Sequence, residues 1–182
     1  MTPQSNEMAR ERAKSIRLLA CDVDGVLTDG RLHFQSDGAR VVEAKSFSIL
    51  DGFGIKLLQE AGIAVALITG RRSPIVAHRA GEMGVRHVLQ GVDDKLAAWN
   101  ALRASLDLPA EATAYIGDDW PDLAVIRACG FGVTVPNAPE LLQRNADYVT
   151  RARGGDGAVR EVCELILEAQ GALEQRLAEW LS

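Results

Sequence analysis

The 182-residue sequence has no basic excess and no long apolar run, and each absence excludes a class of partner. Its formal net charge at pH 7 is −5, whereas a surface that binds nucleic acid or an anionic membrane needs an excess of Lys and Arg. No apolar run approaches the roughly 20 residues that cross a bilayer. We therefore expect no nucleic-acid partner, no membrane partner and, by default, a cytoplasmic location.

Cysteine and histidine are scarce, and their spacing excludes two further kinds of chemistry. Cys21, Cys129 and Cys163 are scattered and odd in number, which is typical of reduced thiols rather than disulfides. A cysteine nucleophile for phosphate esters needs an arginine six positions later, and none of the three has one. The three histidines lack the spacing of metal ligands.

Apolar segments that are typical of strands alternate with amphipathic segments that are typical of helices. This alternation predicts βαβ units and one α/β domain over residues 16–182, with a mainly parallel sheet covered by helices on both faces. The predicted strands are residues 17–22, 64–69, 88–89, 114–117, 132–135 and 148–150. The predicted helices are residues 55–61, 74–83, 95–106, 120–129, 140–145 and 159–180.

Three segments lie outside this alternation. Residues 1–15 have mixed charges and no apolar core, so we expect a flexible N-terminal tail, frayed or folded as a short helix. Residues 30–46 fit a small hairpin, with strands at 32–34 and 41–44 and a turn at 36–38. Residues 151–182 supply a C-terminal tail and the last helix. No linker separates domains.

Two acidic residues follow the first predicted strand, in the segment DVDGVLTDG. Asp22 and Asp24 are two residues apart, so an extended chain places both on one side, and Gly25 lets the backbone leave the strand sharply. Two carboxylates this close repel each other unless a cation lies between them, and oxygen ligands suit Mg²⁺. Taken alone, the segment also fits an ordinary acidic turn.

Polar residues follow the next two strands of the predicted order. Thr69 and Gly70 supply a hydroxyl and exposed backbone N–H groups before a helix, which fits a small phosphate cradle or merely a helix cap. Lys95 lies at a helix start, where the helix dipole disfavours a cation. A lysine there is usually a solvated surface residue, but a nearby phosphate gives this one a better reason for its position.

The fourth such segment is GDDWPD at residues 117–122. Helix capping and a first-turn acid account for Asp119 and Asp122, but they leave Asp118 free to face a metal. The carboxyl ends of parallel strands meet at one edge of a sheet, where α/β proteins bind ligands. Each segment alone favours its ordinary structural role, whereas all four together, in order, point to one phosphate site.

These four segments resemble the motifs of the haloacid dehalogenase superfamily. The resemblance implies a Rossmann-like three-layer α/β/α sandwich and an Mg²⁺-dependent phosphatase. It makes Asp22 the nucleophile that forms an aspartyl-phosphate and Asp24 the general acid and base. The implied Mg²⁺ ligands are the Asp22 carboxylate, the Asp24 carbonyl and the Asp118 carboxylate. The residues implied to stabilise the transferring phosphate are Thr69, Gly70 and Lys95, with Asp119 and Asp122 orienting Lys95 and metal-bound waters.

A finer resemblance covers nearly the whole chain after residue 15. The hairpin, K-x-F-x-x-x-D-G at 45–52, TGRRSP at 69–74 and GGDGAVRE at 154–161 are similar to 3-deoxy-D-manno-octulosonate 8-phosphate phosphatases. That family is cytoplasmic and acts in lipopolysaccharide precursor synthesis. Its subunits have no cap domain and form homotetramers, in which hairpins and C-terminal tails of neighbours help to close each site.

The same resemblance implies residues that bind a small anionic sugar-acid phosphate. Arg71 and Arg79 match positions that face the sugar acid, and the forked guanidinium suits a carboxylate. Arg160 matches a residue of the C-terminal tail. Arginines near a helix start are otherwise usually solvated. Leu50 departs from the family, which commonly has an arginine immediately before the position of Asp51.

Three alternatives remain open at this point. The first is a phosphatase for another sugar acid, such as a nonulosonate 9-phosphate, although Arg71 replaces an acidic residue of those relatives. The second is a phospho-accepting receiver module, whose phosphorylated aspartate ends the third strand, whereas the middle strand here ends at Thr69. The third is a subunit without catalytic activity, which the complete motif set disfavours.

Overall fold

The computed structural model of the protein describes residues 3–36 and 38–181. The α-helices are α1 (Pro3–Ala13), α2 (Ile49–Glu60), α3 (Pro74–Glu82), α4 (Lys95–Ser105), α5 (Leu123–Ala128), α6 (Glu140–Asn145), α7 (Ala158–Ala169) and α8 (Leu173–Leu181). The strands are β1 (Leu18–Cys21), β2 (His33–Ser36), β3 (Val41–Ala44), β4 (Ala64–Thr69), β5 (His87–Gln90), β6 (Thr113–Gly117), β7 (Phe131–Thr134) and β8 (Tyr148–Val149). Short 3₁₀ helices cover Ala110–Ala112 and Trp120–Asp122.

Six strands form one parallel sheet in the order β5-β4-β1-β6-β7-β8. Every residue of β1 and β6 is buried, as expected for short apolar strands covered on both faces. Helices α1, α2 and α7 pack together, and α4 and α5 form a second group. The predicted α/β/α sandwich with a mainly parallel sheet is confirmed. No helix in the described ranges combines the length and the apolar character needed to span a membrane.

The N-terminal segment forms a helix over most of the range expected to be a flexible tail. Ala9 and Ala13 of α1 are buried in the core, and Arg10 pairs with Glu168 of α7 at 3.0 Å. The buried contacts of α1 are made by small alanine side chains. The sequence therefore shows no row of large apolar residues at helical spacing that would predict the helix. The structure therefore has the short helix and not the frayed tail.

The last predicted helix is two helices. A single helix over 159–180 was expected, but α7 ends at Ala169 and α8 begins at Leu173. Gly171 between them has φ +70°, the left-handed conformation that ends helices and that glycine adopts readily.

The hairpin lies outside the main sheet. β2 and β3 pair antiparallel, with Phe34 opposite Glu43, in a two-stranded sheet of their own. The expected turn at 36–38 includes Asp37, which is outside the described residues. The hairpin and α2 are the secondary structure of the described residues between β1 and β4, and these residues form no cap domain. Its large apolar side chains are exposed: Leu32, Phe34, Val41 and Val42.

Candidate active site

The carboxyl ends of the central strands bring the predicted motif residues together. β1 lies between β4 and β6, so the segments that follow these three strands meet at one edge of the sheet. Asp22 follows β1, Thr69 ends β4, and Asp118 follows β6. Lys95 begins α4 and reaches the same place, with Nζ 3.0 Å from Oδ1 of Asp22. Four segments far apart in sequence thus form one polar cluster.

Asp122 holds this cluster in position through hydrogen bonds. Its Oδ1 accepts hydrogen bonds from Lys95 Nζ at 2.7 Å and from the Tyr115 hydroxyl at 2.6 Å. Its Oδ2 accepts the backbone N–H groups of Asp118 and Asp119 at 3.1 and 3.2 Å. Asp122 is fully buried and receives four donors, so it fixes both the lysine and the turn after β6.

Three carboxylates meet here. Oxygen atoms of Asp22, Asp118 and Asp122 lie within 4.8 Å of one another. A Cβ on Gly25 would be 1.9 Å from Oδ2 of Asp118, so only glycine lets the loop after β1 approach this carboxylate. Because the ligand atoms are all oxygens, the cluster fits a hard divalent cation such as Mg²⁺. Asp122 is already saturated by four donors, which leaves Asp22 and Asp118 as the carboxylates to hold the ion.

The electrostatics support this assignment. Burial, and then the carboxylate of Asp122, raises the pKa of Asp22 to about 6 despite the opposing effect of Lys95. Burial and the carboxylate of Asp22 raise the pKa of Asp118 to about 8. Burial alone would lower the pKa of Lys95, but the two neighbouring carboxylates outweigh it and raise the pKa. The cluster has more negative charge than one lysine neutralises, and a divalent cation would remove the excess.

Asp24 lies against Lys45, the residue that follows the hairpin strand β3. Its carboxylate pairs with Lys45 Nζ, and its Oδ2 is 3.7 Å from Nε of Arg71. Thr28 shapes the loop behind it, because its hydroxyl oxygen accepts the N–H groups of Gly25 and Gly30, each at 3.3 Å.

The sequence-predicted binding residues divide into two groups. Thr69 is buried, and its hydroxyl oxygen accepts the Arg71 N–H at 3.3 Å, so Thr69, Gly70 and Arg71 form one turn at the site. Arg79 instead donates to the Ser48 carbonyl at 3.4 Å and pairs with Glu82 at 3.2 Å.

Arg160 is in the first turn of α7, and its side chain lies against Phe53 of α2. Its guanidinium pairs with Glu164 at 2.7 Å and lies 5.0 Å from the ring centre of Phe53. These contacts do not bring Arg79 or Arg160 to the carboxylate cluster of their own chain. Their roles toward a substrate stay predictions.

Sequence reasoning missed a second layer around the site. Nothing in the sequence marked the Tyr115 hydroxyl, which lies in an apolar strand. Lys45 and Asp51 belong to the K-x-F-x-x-x-D-G segment that is similar to the family, but the sequence predicted no role for either. Asp51 is buried and accepts the backbone N–H groups of Arg160 at 2.8 Å and Gly157 at 3.4 Å, at the start of α7. It thereby ties α2 to the segment GGDG.

The segment GGDG, residues 154–157, packs directly on the loop that follows β1 and contains Gly25 and Val26. Gly155 N donates to the Val26 carbonyl at 2.8 Å, and a Cβ on Gly154 would lie 1.7 Å from the carbonyl oxygen of Gly25. Glycines of GGDG are therefore required for backbone to meet backbone. The segment that sequence reasoning treated as a tail supports the site of its own chain.

The arrangement fits covalent phosphoryl transfer. A buried carboxylate beside a lysine, a set of oxygen ligands for a cation, and a second carboxylate two residues from the first are the groups that such a reaction needs. The family resemblance assigns the two aspartates of DVDG as nucleophile and proton carrier, and the cations around them would neutralise a bound phosphate. No cysteine competes as the nucleophile, because burial raises the pKa of all three thiols, Cys21, Cys129 and Cys163, well above the ordinary value.

Comparison with known proteins agrees with this chemistry. Residues 80–162 match the family model for haloacid dehalogenase-like hydrolases. The chain is 49% identical to the 3-deoxy-D-manno-octulosonate 8-phosphate phosphatase of Yersinia pestis over 164 residues, covering 90% of this chain and 86% of that protein.

Solved structures agree as well. A crystal structure of the phosphatase of the same name from Moraxella catarrhalis, in complex with magnesium, phosphate and KDO, is 47% identical, with a TM-score of 0.91 over 96% of this chain and 98% of that chain. The cobalt-bound phosphatase of Haemophilus influenzae is 41% identical, with a TM-score of 0.83 over 89% and 93% of the two chains. The chain therefore belongs to the 3-deoxy-D-manno-octulosonate 8-phosphate phosphatase family of haloacid dehalogenase-like hydrolases.

Proposed function

We propose that the protein hydrolyses 3-deoxy-D-manno-octulosonate 8-phosphate to the free sugar acid and phosphate, through an aspartyl-phosphate on Asp22 and with Mg²⁺ as cofactor. The observation that carries the proposal is that Asp22 and Asp118, which follow the adjacent strands β1 and β6, lie together, with Lys95 of α4 beside Asp22. Its support from relatives is the Moraxella catarrhalis structure, which contains magnesium, phosphate and KDO.

In the first step, the Asp22 carboxylate attacks phosphorus in line and the bond to the sugar oxygen breaks. Asp24 gives its proton to the departing alkoxide, whose own basicity makes it a poor leaving group. Lys95 and the hydroxyl of Thr69 stabilise the charge on the phosphoryl oxygens. Mg²⁺, held by the Asp22 and Asp118 carboxylates and the Asp24 carbonyl, supplies further neutralisation of the phosphate when bound.

In the second step, water attacks the phosphorus of the aspartyl-phosphate. Asp24 takes the proton of that water, the bond between phosphorus and Asp22 breaks, and phosphate leaves. The residue that donated a proton in the first step thus accepts one in the second, and both carboxylates return to their starting states. Asp122 keeps Lys95 in place throughout, because it binds the lysine at 2.7 Å from a fully buried position.

The substrate's carboxylate would bind Arg71. Its side chain is 45% exposed and lies beside Asp24, on the side of the site away from the carboxylate cluster. Leu50, where the family commonly has arginine, is also exposed, at 58%. The loss of that cation removes one possible contact and makes a different sugar acid, such as a nonulosonate, the second candidate substrate.

The assembly we propose is a homotetramer in the cytoplasm, in which hairpins and C-terminal segments of neighbours cover each site. Four exposed apolar side chains on the hairpin support this, as does the absence of a cap among the described residues between β1 and β4. Arg79 and Arg160 would then contribute to substrate binding only through such an arrangement. The pathway that the family implies is lipopolysaccharide precursor synthesis.

A substrate panel tests the proposed function. Purified protein with Mg²⁺ is offered octulosonate 8-phosphate, a nonulosonate 9-phosphate and arabinose 5-phosphate, and released phosphate is measured. We expect the highest kcat/KM for the octulosonate ester and repeated turnover, whereas a receiver module would stop after one phosphoryl group. A preference for the nonulosonate ester would replace the substrate but not the mechanism.

A further inference from the structure

We infer that Glu43 is a positioning residue: it fixes the guanidinium of Arg71 beside Asp24 and so makes the enzyme selective for phosphate esters that also carry a carboxylate. The inference deepens the proposed function and rests on it for the reaction at Asp22. It does not depend on which sugar acid is the substrate.

The geometry places Glu43 at the centre of a four-charge group, which consists of Asp24, Glu43, Lys45 and Arg71. Oε1 of Glu43 accepts a hydrogen bond from Nη2 of Arg71 at 2.6 Å and lies 3.5 Å from Nζ of Lys45. Lys45 pairs with Asp24 in turn, and Nε of Arg71 faces Oδ2 of Asp24 at 3.7 Å. Strand β3 thereby connects to both the proton carrier and the turn after β4.

The two cations of this group differ in access to solvent. The side chain of Lys45 is 1% exposed and that of Arg71 is 45% exposed. Lys45 is therefore enclosed between the two carboxylates, where it balances charge. Arg71 is the cation that an incoming anion can reach. A carboxylate that arrives with the phosphate ester meets Arg71 first.

Glu43 decides where that guanidinium lies. Arginine has many rotamers, and fixing it during binding costs conformational entropy. The contacts to Glu43 and Asp24 engage Nη2 and Nε, and neither uses Nη1. The guanidinium is thus held by one edge, with donors left for a second carboxylate.

Glu43 stays ionised in this setting. Burial would raise its pKa, but the hydrogen bond from Arg71 and the charges of Lys45 and Arg71 outweigh burial, and the pKa lies below its ordinary value. A charge-assisted pair of this kind is stronger than a neutral hydrogen bond. The opposite role, in which Glu43 competes with the substrate for Arg71, predicts the opposite change in KM.

The test compares two esters that differ only at the carboxylate. Wild type, Glu43→Gln and Glu43→Ala are assayed with the sugar-acid phosphate that wild type prefers and with the same compound reduced to the C1 alcohol. We expect Glu43→Ala to raise KM for the acid about tenfold, because a charge-assisted bond is weakened. Glu43→Gln should be intermediate, with kcat changed by less than about twofold and values for the alcohol unchanged.

The control is Glu140→Gln, which removes the charge of an exposed glutamate paired with Arg144 on α6. It should leave all constants unchanged. Equal losses on acid and alcohol, no change on either, a lower KM for the acid, or a wild type that does not distinguish the two esters would each overturn the inference. A wild type that prefers another sugar acid changes the proposed substrate, and the same comparison is then made with that pair.

Discussion

At the scale of single residues, Asp22 carries two demands that oppose each other. Burial and the carboxylate of Asp122 disfavour its charge, while the nucleophilic role that we propose for Asp22 requires an ionised carboxylate. The positive charge of Lys95, 3.0 Å away, lowers the pKa of Asp22 and so offsets part of the effect of burial. The remaining electrostatic cost is the kind that active sites maintain for function and that a neutral substitution would relieve.

We predict that Asp22→Asn abolishes turnover and keeps the fold. The change removes the nucleophile and one of three mutually repelling carboxylates at nearly constant volume. The free energy of unfolding at pH 7 should therefore not fall below that of wild type. Phosphate release with saturating Mg²⁺ and urea denaturation measure the two effects. Hydrolysis close to the wild-type rate would exclude Asp22 as the nucleophile.

Asp51 leads to a pH-dependent prediction away from the metal cluster. Burial raises its pKa to about 6, although backbone N–H groups of Arg160 and Gly157 favour the charged form. Because the folded pKa lies above the ordinary value of 3.8, the protonated form is favoured by folding, and this contribution is lost as pH rises through about 6. Relative to Asp51→Asn, wild type should lose up to about 3 kcal/mol of unfolding free energy between pH 4 and pH 7.

The measurement is urea denaturation of both proteins across that range. The difference between them, rather than either curve alone, isolates the titration of Asp51 from that of other carboxyls. A difference that is constant with pH would contradict the raised pKa. Asn also replaces one acceptor with a donor, so a constant offset between the two proteins is expected in addition.

Sequence reasoning found the residues that carry recognisable motifs and missed those that support them. Asp22, Lys95 and Asp118 each follow a strand end and could be located by that rule. Asp51 could not, because its partners are backbone N–H groups more than one hundred positions later in the chain. Nothing in a single sequence reports such a contact.

At the scale of elements, the glycine segment before α7 is the part most sensitive to substitution. We predict that Gly154→Ala lowers the free energy of unfolding by about 1–3 kcal/mol, because the new Cβ meets the Gly25 carbonyl at 1.7 Å. It should also lower kcat, since Gly25 lies directly against the Asp118 carboxylate.

Gly81→Ala in α3 is the matched control. A Cβ at Gly81 meets no atom within 4 Å, and its φ is not positive, so alanine should stabilise the helix by about 0.4–1 kcal/mol. Thermal melts and initial rates on both variants measure the effects. If Gly154→Ala had the stability and activity of wild type, the close backbone contact between the two loops would be wrong.

Element boundaries were predictable where apolar periodicity or proline marked them. β4 and α6 have the predicted bounds, and α3 begins at Pro74 as predicted. α2 begins at Ile49, six residues before the predicted start at 55. The prediction began too late because the first turn of α2 exposes the apolar Ile49 and Leu50 and buries Asp51 and Gly52. A turn that exposes apolar residues and buries a polar one results from tertiary contacts. Hydrophobic periodicity therefore cannot predict where such a helix begins.

At the scale of the whole molecule, a divalent cation should stabilise the fold as well as support activity. An ion that binds only the folded state adds about 2.7 kcal/mol at one hundred times its Kd. We predict that Mg²⁺ raises Tm and that chelation abolishes turnover until Mg²⁺ is restored. Asp118→Asn should lose most of the Tm shift. A shift of the same size from NaCl at equal ionic strength would show that no specific site is involved.

The proposed assembly can be tested through the hairpin. Light scattering on purified protein should give about four times the chain mass of 19.6 kDa. Phe34→Glu should reduce the mass and the activity together, because Phe34 is 60% exposed on a hairpin that pairs with no other strand in the described chain. Leu141→Glu on α6, also an exposed apolar residue, is the control. A fully active monomer would exclude shared sites.

The central place of β1 in the sheet has a consequence for how the enzyme comes into being. β1 is made early, yet its hydrogen-bonding partners on the two sides begin at residues 64 and 113. The loop that follows Asp22 and Asp24 also packs against Gly154 and Gly155, which are synthesised later still. The site is therefore incomplete during synthesis until residues 113–117 and 154–155 have been made, and contacts between such distant residues make folding slow compared with that of helical domains of similar length.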